Sequence, residues 1–261
     1  MRSRKSSTMK PSANEEVFRF KEFEVANCRS ALKVGTDAVL LGAAMTLKET
    51  DASALDIGTG TGVIALMAAQ RSPGCRITGI DIDEASCEEA RGNFRRSPWP
   101  ERLSAVHSPL SAFRAEERFD LIFSNPPYYD ASLKNPDARE AAARHDESLP
   151  LQEIFRFAAG NLSPEGRLSL IFPSDREVQA LRSAASFGLY PFRILRIRTT
   201  PKKGVRRLVA EFSFSRAEHL EDEILTLMDA GVRTAEYLDL TKDFYLNSPP
   251  KSDVPPQNDV F

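Results

Sequence analysis

LDIGTGTGVIALMAAQ, Leu55 to Gln70, passes from a short apolar run to glycines on alternate positions and then straight into a helical pattern. Glycine lets a chain turn sharply and lets a ligand approach the backbone, and the N-terminus of the helix that follows adds partial positive charge at the turn. The segment therefore opens a βα unit whose turn either receives a ligand or is simply a tight connection. Its spacing is G-x-G-x-G, which differs from the G-x-G-x-x-G of dinucleotide binders.

Outward from this turn, strand and helix patterns alternate. Ser53–Ile57, Arg76–Asp81, Leu103–His107, Asp120–Ser124 and Arg167–Phe172 read as strands; Val63–Arg71, Glu84–Arg95, Leu151–Leu162 and Asp175–Phe187 read as helices. Such alternation predicts a parallel sheet covered on both faces. The pattern then changes: Phe192–Arg198 and Arg207–Phe214 are strand-like runs with no room for a helix between them, which predicts an antiparallel hairpin projecting from one sheet edge. The fold class expected is α/β, with a mostly parallel, doubly wound sheet ending in that hairpin, an arrangement that by analogy resembles the Rossmann-like class I methyltransferase fold. A single domain over residues 15–247 is expected. The polar, basic residues 1–14 and the proline-rich residues 248–261 are expected to be disordered tails.

Composition narrows the classes. Hydrophobic content of 41% is ordinary globular usage, and a net charge of −2 leaves no global footprint of a nucleic-acid binder, although it can hide a local basic patch. Cys28, Cys75 and Cys87 are widely spaced and form no C-x-x-C pair, which argues against a disulfide framework or a metal knuckle. The basic start is not followed by an apolar signal region, and no apolar run approaches membrane-spanning length. These features predict a cytoplasmic protein with no membrane association and no metal, and a monomer is expected.

Two carboxylates sharpen the glycine turn. Asp56 precedes Gly58, Gly60 and Gly62, where it could meet a cationic ligand; Asp81 ends the next strand in GIDID, where it could accept hydrogen bonds from ribose hydroxyls, with Asp83 as the helix cap. S-adenosyl-L-methionine carries an ammonium, a sulfonium and a ribose, and is the cofactor these positions suit. After the third strand, methyltransferases that this arrangement resembles often place an aspartate that receives the cofactor adenine amino group; here the chain has His107-Ser108-Pro109, and Ser108 could accept that bond more weakly.

The strand FDLIFS then runs into Asn125-Pro126-Pro127-Tyr128. Prolines cannot extend a strand ladder, so the chain leaves the sheet on a stiffened turn bearing an amide and an aromatic ring. In such a sheet this turn lies beside the glycine turn, at the carboxyl edge where ligands bind. An amine on a planar group is a poor nucleophile until both N–H bonds are held. The Asn125 side-chain oxygen and the Pro126 carbonyl can hold them, while Tyr128 stacks on the plane. The combination points to methylation of an exocyclic amine.

These motifs carry a resemblance. FKEFEV (Phe20–Val25), LKVGTDAVLLGA (Leu32–Ala43), DIGTGTGVIALMAAQR, GIDID, FDLIFSNPPYY, Arg144-His145 and LTKDFYL (Leu240–Leu246) resemble the bacterial enzymes that methylate N6 of adenine-37 in tRNA1(Val), over nearly all the chain between its tails. The resemblance implies that Lys33, Gly35, Thr36 and Asp37 lie over the cofactor, that Asn125 to Tyr128 hold the target adenine, and that tRNA is the partner. Read from the residues alone, Lys33 to Asp37 is a glycine turn before a helix capped by Thr36 or Asp37.

A basic run supports RNA separately. Arg193, Arg196, Arg198, Lys202, Lys203, Arg206 and Arg207 occur with no acidic residue among them, spread over the terminal hairpin and its loop, where they could meet phosphates. Competing expectations are guanine-N2 methylation of ribosomal RNA, DNA adenine methylation, and protein-glutamine methylation, which would want a helical substrate domain ahead of the glycine turn. A nicotinamide oxidoreductase would leave N-P-P-Y unexplained, and a non-catalytic RNA binder would need neither Asn125 nor the glycines.

Overall fold

A computed structural model describes residues 17–28, 34–127 and 151–246. The expectations for Lys33, Tyr128, Tyr129, Arg144, His145 and both tails fall outside the described residues.

The centre is an eight-stranded sheet. In chain order its strands are β3 (Ser53–Ile57), β4 (Arg76–Asp81), β5 (Leu103–His107), β6 (Phe119–Ser124), β7 (Leu162–Pro173), β8 (Tyr190–Arg198), β9 (Arg207–Ser213) and β10 (Glu221–Thr226). Across the sheet the order is β10-β8-β9-β7-β6-β3-β4-β5. All neighbouring pairs are parallel except those made by β9, which is antiparallel to β7 and to β8. The predicted hairpin therefore exists, but it does not project from a sheet edge. β9 is inserted between β7 and β8, and β10 covers the outer side of β8.

Helices α1 (Thr36–Ala44), α2 (Val63–Arg71), α3 (Glu84–Arg96), α4 (Leu151–Asn161), α5 (Glu177–Ser186) and α6 (Ala235–Thr241) complete the fold. Two apolar clusters lie on opposite faces of the sheet. One joins α1, α2, Phe94 of α3 and Tyr237 of α6; the other joins α4 and α5 through Ile154, Phe155, Ala180 and Ala184. A small antiparallel hairpin, β1 (Val17–Arg19) and β2 (Glu24–Ala26), packs Phe20 and Phe23 against the first cluster. Tyr245 pairs with Phe20, which ties the segment after α6 back to the first described residues.

Several buried polar groups around the C-terminus of α1 are well partnered. The Arg167 guanidinium meets the Asp51 carboxylate and the Thr46 carbonyl, and both side chains of the ion pair are 2% exposed. Glu211, fully buried, accepts from the Thr46 amide at 2.8 Å, the Thr46 hydroxyl at 2.9 Å, Ser169 at 2.8 Å and Arg193 at 3.0 Å. Arg71 and Arg193 donate to the Gly42, Ala44 and Met45 carbonyls, satisfying the C-terminus of α1. That end is thereby fixed, and the other end of α1 is presented at the carboxyl edge.

Candidate active site

Four strand ends meet at the carboxyl edge. The glycine turn follows β3, Asp81 ends β4, His107 and Ser108 close β5, and Asn125 follows β6. β3 lies between β4 and β6, so the glycine turn has the acidic strand end on one side and Asn125 on the other. Ser124 seals the seam between β3 and β6: its buried hydroxyl donates to the Ile57 carbonyl at 2.6 Å.

The turn is held by its own backbone. Gly58 and Thr59 amides donate to the Ile80 carbonyl at 2.8 and 2.9 Å, so the chain folds over the end of β4. Gly58 has φ +72°, and a Cβ placed there would meet nothing within 4 Å. That open, partly exposed backbone leaves room for a ligand. Gly62, the residue preceding α2, has φ +80° and faces the Phe94 ring, which a Cβ would strike at 2.4 Å. The two glycines thus serve different ends: Gly58 faces open space, and Gly62 faces the core.

Asp56 is fully buried beneath the turn. One oxygen accepts from the Thr59 hydroxyl at 2.8 Å; the other, Oδ1, has no hydrogen-bond partner. Burial pushes its pKa up to about 7, partly offset by the Thr59 bond, and the charge of Asp81 raises it further. The carboxyl group that could meet a cationic ligand is buried beneath the backbone of the turn. Gly79 makes this possible, since a Cβ there would lie 2.5 Å from the Thr59 hydroxyl oxygen.

Asp81 is partly exposed and accepts from the Gly60 amide at 2.9 Å and the Asp83 amide at 3.0 Å. Its pKa is raised by burial, against the lowering effect of those amides. Carboxylate oxygens each have a second lone pair, so Asp81 can still accept from hydroxyls. Asp83 caps α3, accepting from the Ser86 amide and hydroxyl. Ser108 is half-buried and directs its own hydroxyl to the Pro109 carbonyl at 3.0 Å, while its amide donates to the Asp81 carbonyl.

Asn125 is half-buried, and its side chain makes no hydrogen bond among the described residues. Pro126 is buried behind it. The turn is rigid at its base, yet the amide that projects from it is uncommitted.

At the entrance to α1, Gly35 is the N-cap residue and no side chain caps the helix, so neither Thr36 nor Asp37 has the capping role. Asp37 instead accepts from Arg207 at 2.7 Å. The basic run is likewise divided by carboxylates from other elements. Arg193 reaches Glu211, Glu221 and Glu223; Arg196 forks onto Glu177 and Asp222, and the Glu177 bond foremost raises its pKa. Arg198 donates to the Thr226 hydroxyl at 2.8 Å. Lys202, Lys203 and Arg206 remain exposed on the loop.

Sequence reasoning missed Asn93. It is fully buried in α3 and donates to the Ala26 carbonyl at 3.0 Å and the Thr61 carbonyl at 2.8 Å, while accepting from the Ala26 amide. One side chain thus joins β2 to the glycine turn. An amide on the inward face of an otherwise amphipathic helix was the available signal. Among the described residues no cluster of three or more His, Cys, Asp or Glu could hold a metal, and no helix is long and apolar enough to cross a membrane.

The family model "Methyltransferase small domain" matches residues 24–188. A tRNA1(Val) (adenine(37)-N6)-methyltransferase from Flavobacterium johnsoniae is 42% identical over 233 residues, covering 88% of this chain and 99% of that one. Another protein of that name, from Bacteroides thetaiotaomicron, is 38% identical over 231 residues, covering 88% and 97%. Among solved structures, a predicted O-methyltransferase from Agrobacterium tumefaciens shares the fold with a TM-score of 0.62 at 21% identity, over 80% of this chain and 96% of that one. With the glycine turn, the acidic strand end and the N-P-P turn on one edge of that sheet, the chain belongs to the methyltransferase small domain family, alongside the tRNA1(Val) (adenine(37)-N6)-methyltransferases.

Proposed function

We propose that the protein transfers a methyl group from S-adenosyl-L-methionine to N6 of adenine-37 in tRNA1(Val). The observation that carries this reading is the uncommitted Asn125 amide, beside a glycine turn with open backbone, in a chain about 40% identical to relatives of that name.

The residues present fit the cofactor. The orphaned Asp56 oxygen lies under the turn, Gly58 leaves space above it, and Asp81 has lone pairs to spare at the neighbouring strand end. Gly58, Gly60 and Gly62 would shape the turn around the cofactor, Asp81 would hold its ribose, Ser108 would lie near its adenine, and Gly35 to Asp37, with Lys33, would cover it. Bound cofactor supplies an electrophilic methyl on a sulfonium. The chain's part is positioning: Asn125 Oδ1 and the Pro126 carbonyl accept the two N6–H bonds, Pro127 stiffens the turn, and Tyr128 stacks on the base. Held in this way the amine would present its lone pair to the methyl group, and the proton it sheds on methylation would pass to solvent afterwards, so a strong base is not required.

The decisive test is incubation of the protein with labelled cofactor and tRNA from a strain lacking the gene, followed by nucleoside mass spectrometry. N6-methyladenosine is expected. N2-methylguanosine, or no modified nucleoside, would overturn the reading.

Asp56 gives cofactor binding a pH dependence of known sign. Its folded-state pKa of about 7 lies above the ordinary 3.8, so the free protein keeps a proton that the unfolded chain gives up. Stability without cofactor should therefore fall as pH rises from about 4 to about 7. A bound cation favours the ionised form, so cofactor binding between about pH 5.5 and 7 should release a proton. Calorimetry in two buffers of different ionisation enthalpy measures that release. Asp56→Asn should weaken binding and abolish the release; a wild-type protein that releases none would exclude the coupling.

A further inference from the structure

The loop between β8 and β9 and the turn after β7 form one continuous rim. The Ser174 amide donates to the Arg206 carbonyl at 3.1 Å, its hydroxyl donates to the Val205 carbonyl at 2.8 Å, and the Arg206 amide donates to the Ile197 carbonyl at 2.8 Å. The loop is braced from within by the Lys203 amide on the Thr200 carbonyl and by Arg198 on Thr226 and Pro201. It is an ordered ledge that carries Lys202, Lys203 and Arg206, and the turn bonded to it carries Arg176.

The place of this ledge follows from strand register. Leu170 pairs with Ser124, and Pro173 lies three residues further along β7, level with Arg207 and Ile197. At about 3.3 Å per residue the rim stands about 10 Å above the end of β6, and begins one strand spacing of about 4.8 Å to its side. It lies on the β7 side of Asn125, whereas the glycine turn and Asp81 lie on the β3 side. A base seated at Asn125 would have its cofactor on one flank and this wall on the other.

Charge on the wall is unspent. Arg193, Arg196 and Arg207 are bound by carboxylates, so the run of seven cations read from sequence reduces to far fewer exposed ones. Arg176, Lys202, Lys203 and Arg206 are exposed, and none forms an ion pair among the described residues. Arg176 lies outside the run and comes to the wall only through the fold.

We propose that Arg176, Lys202, Lys203 and Arg206 form a phosphate-binding wall that grips the RNA backbone flanking the target base. The proposal rests on the tRNA reading above and adds where the strand runs: over the turn after β7 and the β8–β9 loop, away from the cofactor. Lys and Arg side chains suit phosphates as mobile point charges and as forks respectively, and neither reads the base.

The test replaces all four residues with Ala and measures equilibrium binding of an unmodified tRNA1(Val) transcript across salt concentrations. Each lost phosphate contact on a single strand reduces the slope of log K against log salt by about 0.7, so a fall of about 3 is expected, with KM for tRNA rising tenfold or more. Cofactor affinity, measured by calorimetry, should stay within about twofold. Arg216→Ala provides the comparison, since Arg216 is an exposed cation stacked on Tyr190 at the start of β8, the opposite end of the sheet. It should leave slope and KM unchanged. If the fourfold variant binds tRNA with wild-type slope and KM, or if Arg216→Ala matches its loss, the wall is overturned while the methylation reading stands. If the wild-type protein methylates no tRNA, it is the substrate reading that fails.

Discussion

Asn125→Ala is expected to lower the rate of methyl transfer by about a hundred- to a thousandfold while leaving cofactor affinity within about twofold. The magnitude is that of removing one preorganised hydrogen-bonding group from a transition state. The selectivity follows from placement. Asn125 follows β6, its side chain has no hydrogen bond among the described residues, and the glycine turn hangs from Ile80 and Asp81 instead. Removing the amide therefore disturbs neither the turn nor the fold beneath it. Single-turnover kinetics with calorimetry separates the two quantities; wild-type turnover in the variant would remove Asn125 from the mechanism. A parallel loss of cofactor affinity would mean that the amide supports the cofactor pocket as well.

Arg167→Met should destabilise the fold by about 3–5 kcal/mol, the cost of stripping one partner from a buried ion pair. The Arg167 and Asp51 side chains are both 2% exposed, and the guanidinium also takes two bonds to the Thr46 carbonyl. Methionine fills similar space but leaves the carboxylate and that carbonyl without their cation. Against a typical total of about 5–15 kcal/mol the loss is a large fraction, and denaturant unfolding should show it as a lower midpoint at unchanged slope. An effect below about 1 kcal/mol would mean that water or a neighbouring group replaces the guanidinium.

Much of the sheet was legible because each central strand is apolar and bounded by a turn signal. β3, α2, β4 and β5 have the limits expected from the residues alone. β10 was not legible: EDEILT begins with three charged, exposed residues, and it becomes a strand because Arg193 and Arg196 on β8 meet their carboxylates. The same pairing shows why the sequence could not tell which cations of the basic run are free. Sequence showed no acid between Arg193 and Arg207, but partners came from Glu177, Glu211, Asp222 and Asp37, near only in space. Asp56 and Asp81 do lie at the ends of adjacent strands, as their positions in the sequence predict. That Asp56 is sealed beneath the turn depends on Gly79 and Thr59, whose contact no local pattern announces.

The insertion of β9 between β7 and β8 bears on how the chain is made. While synthesis has passed β8 but not β9, β7 presents an open edge, and Thr46, Ser169 and Arg193 lack the carboxylate that Glu211 later brings. A nascent chain at that stage has an unfinished sheet with a template for pairing with other chains. β9, Arg207–Ser213, closes it, so a released chain that ends between residues 200 and 206 should aggregate more readily than the full chain.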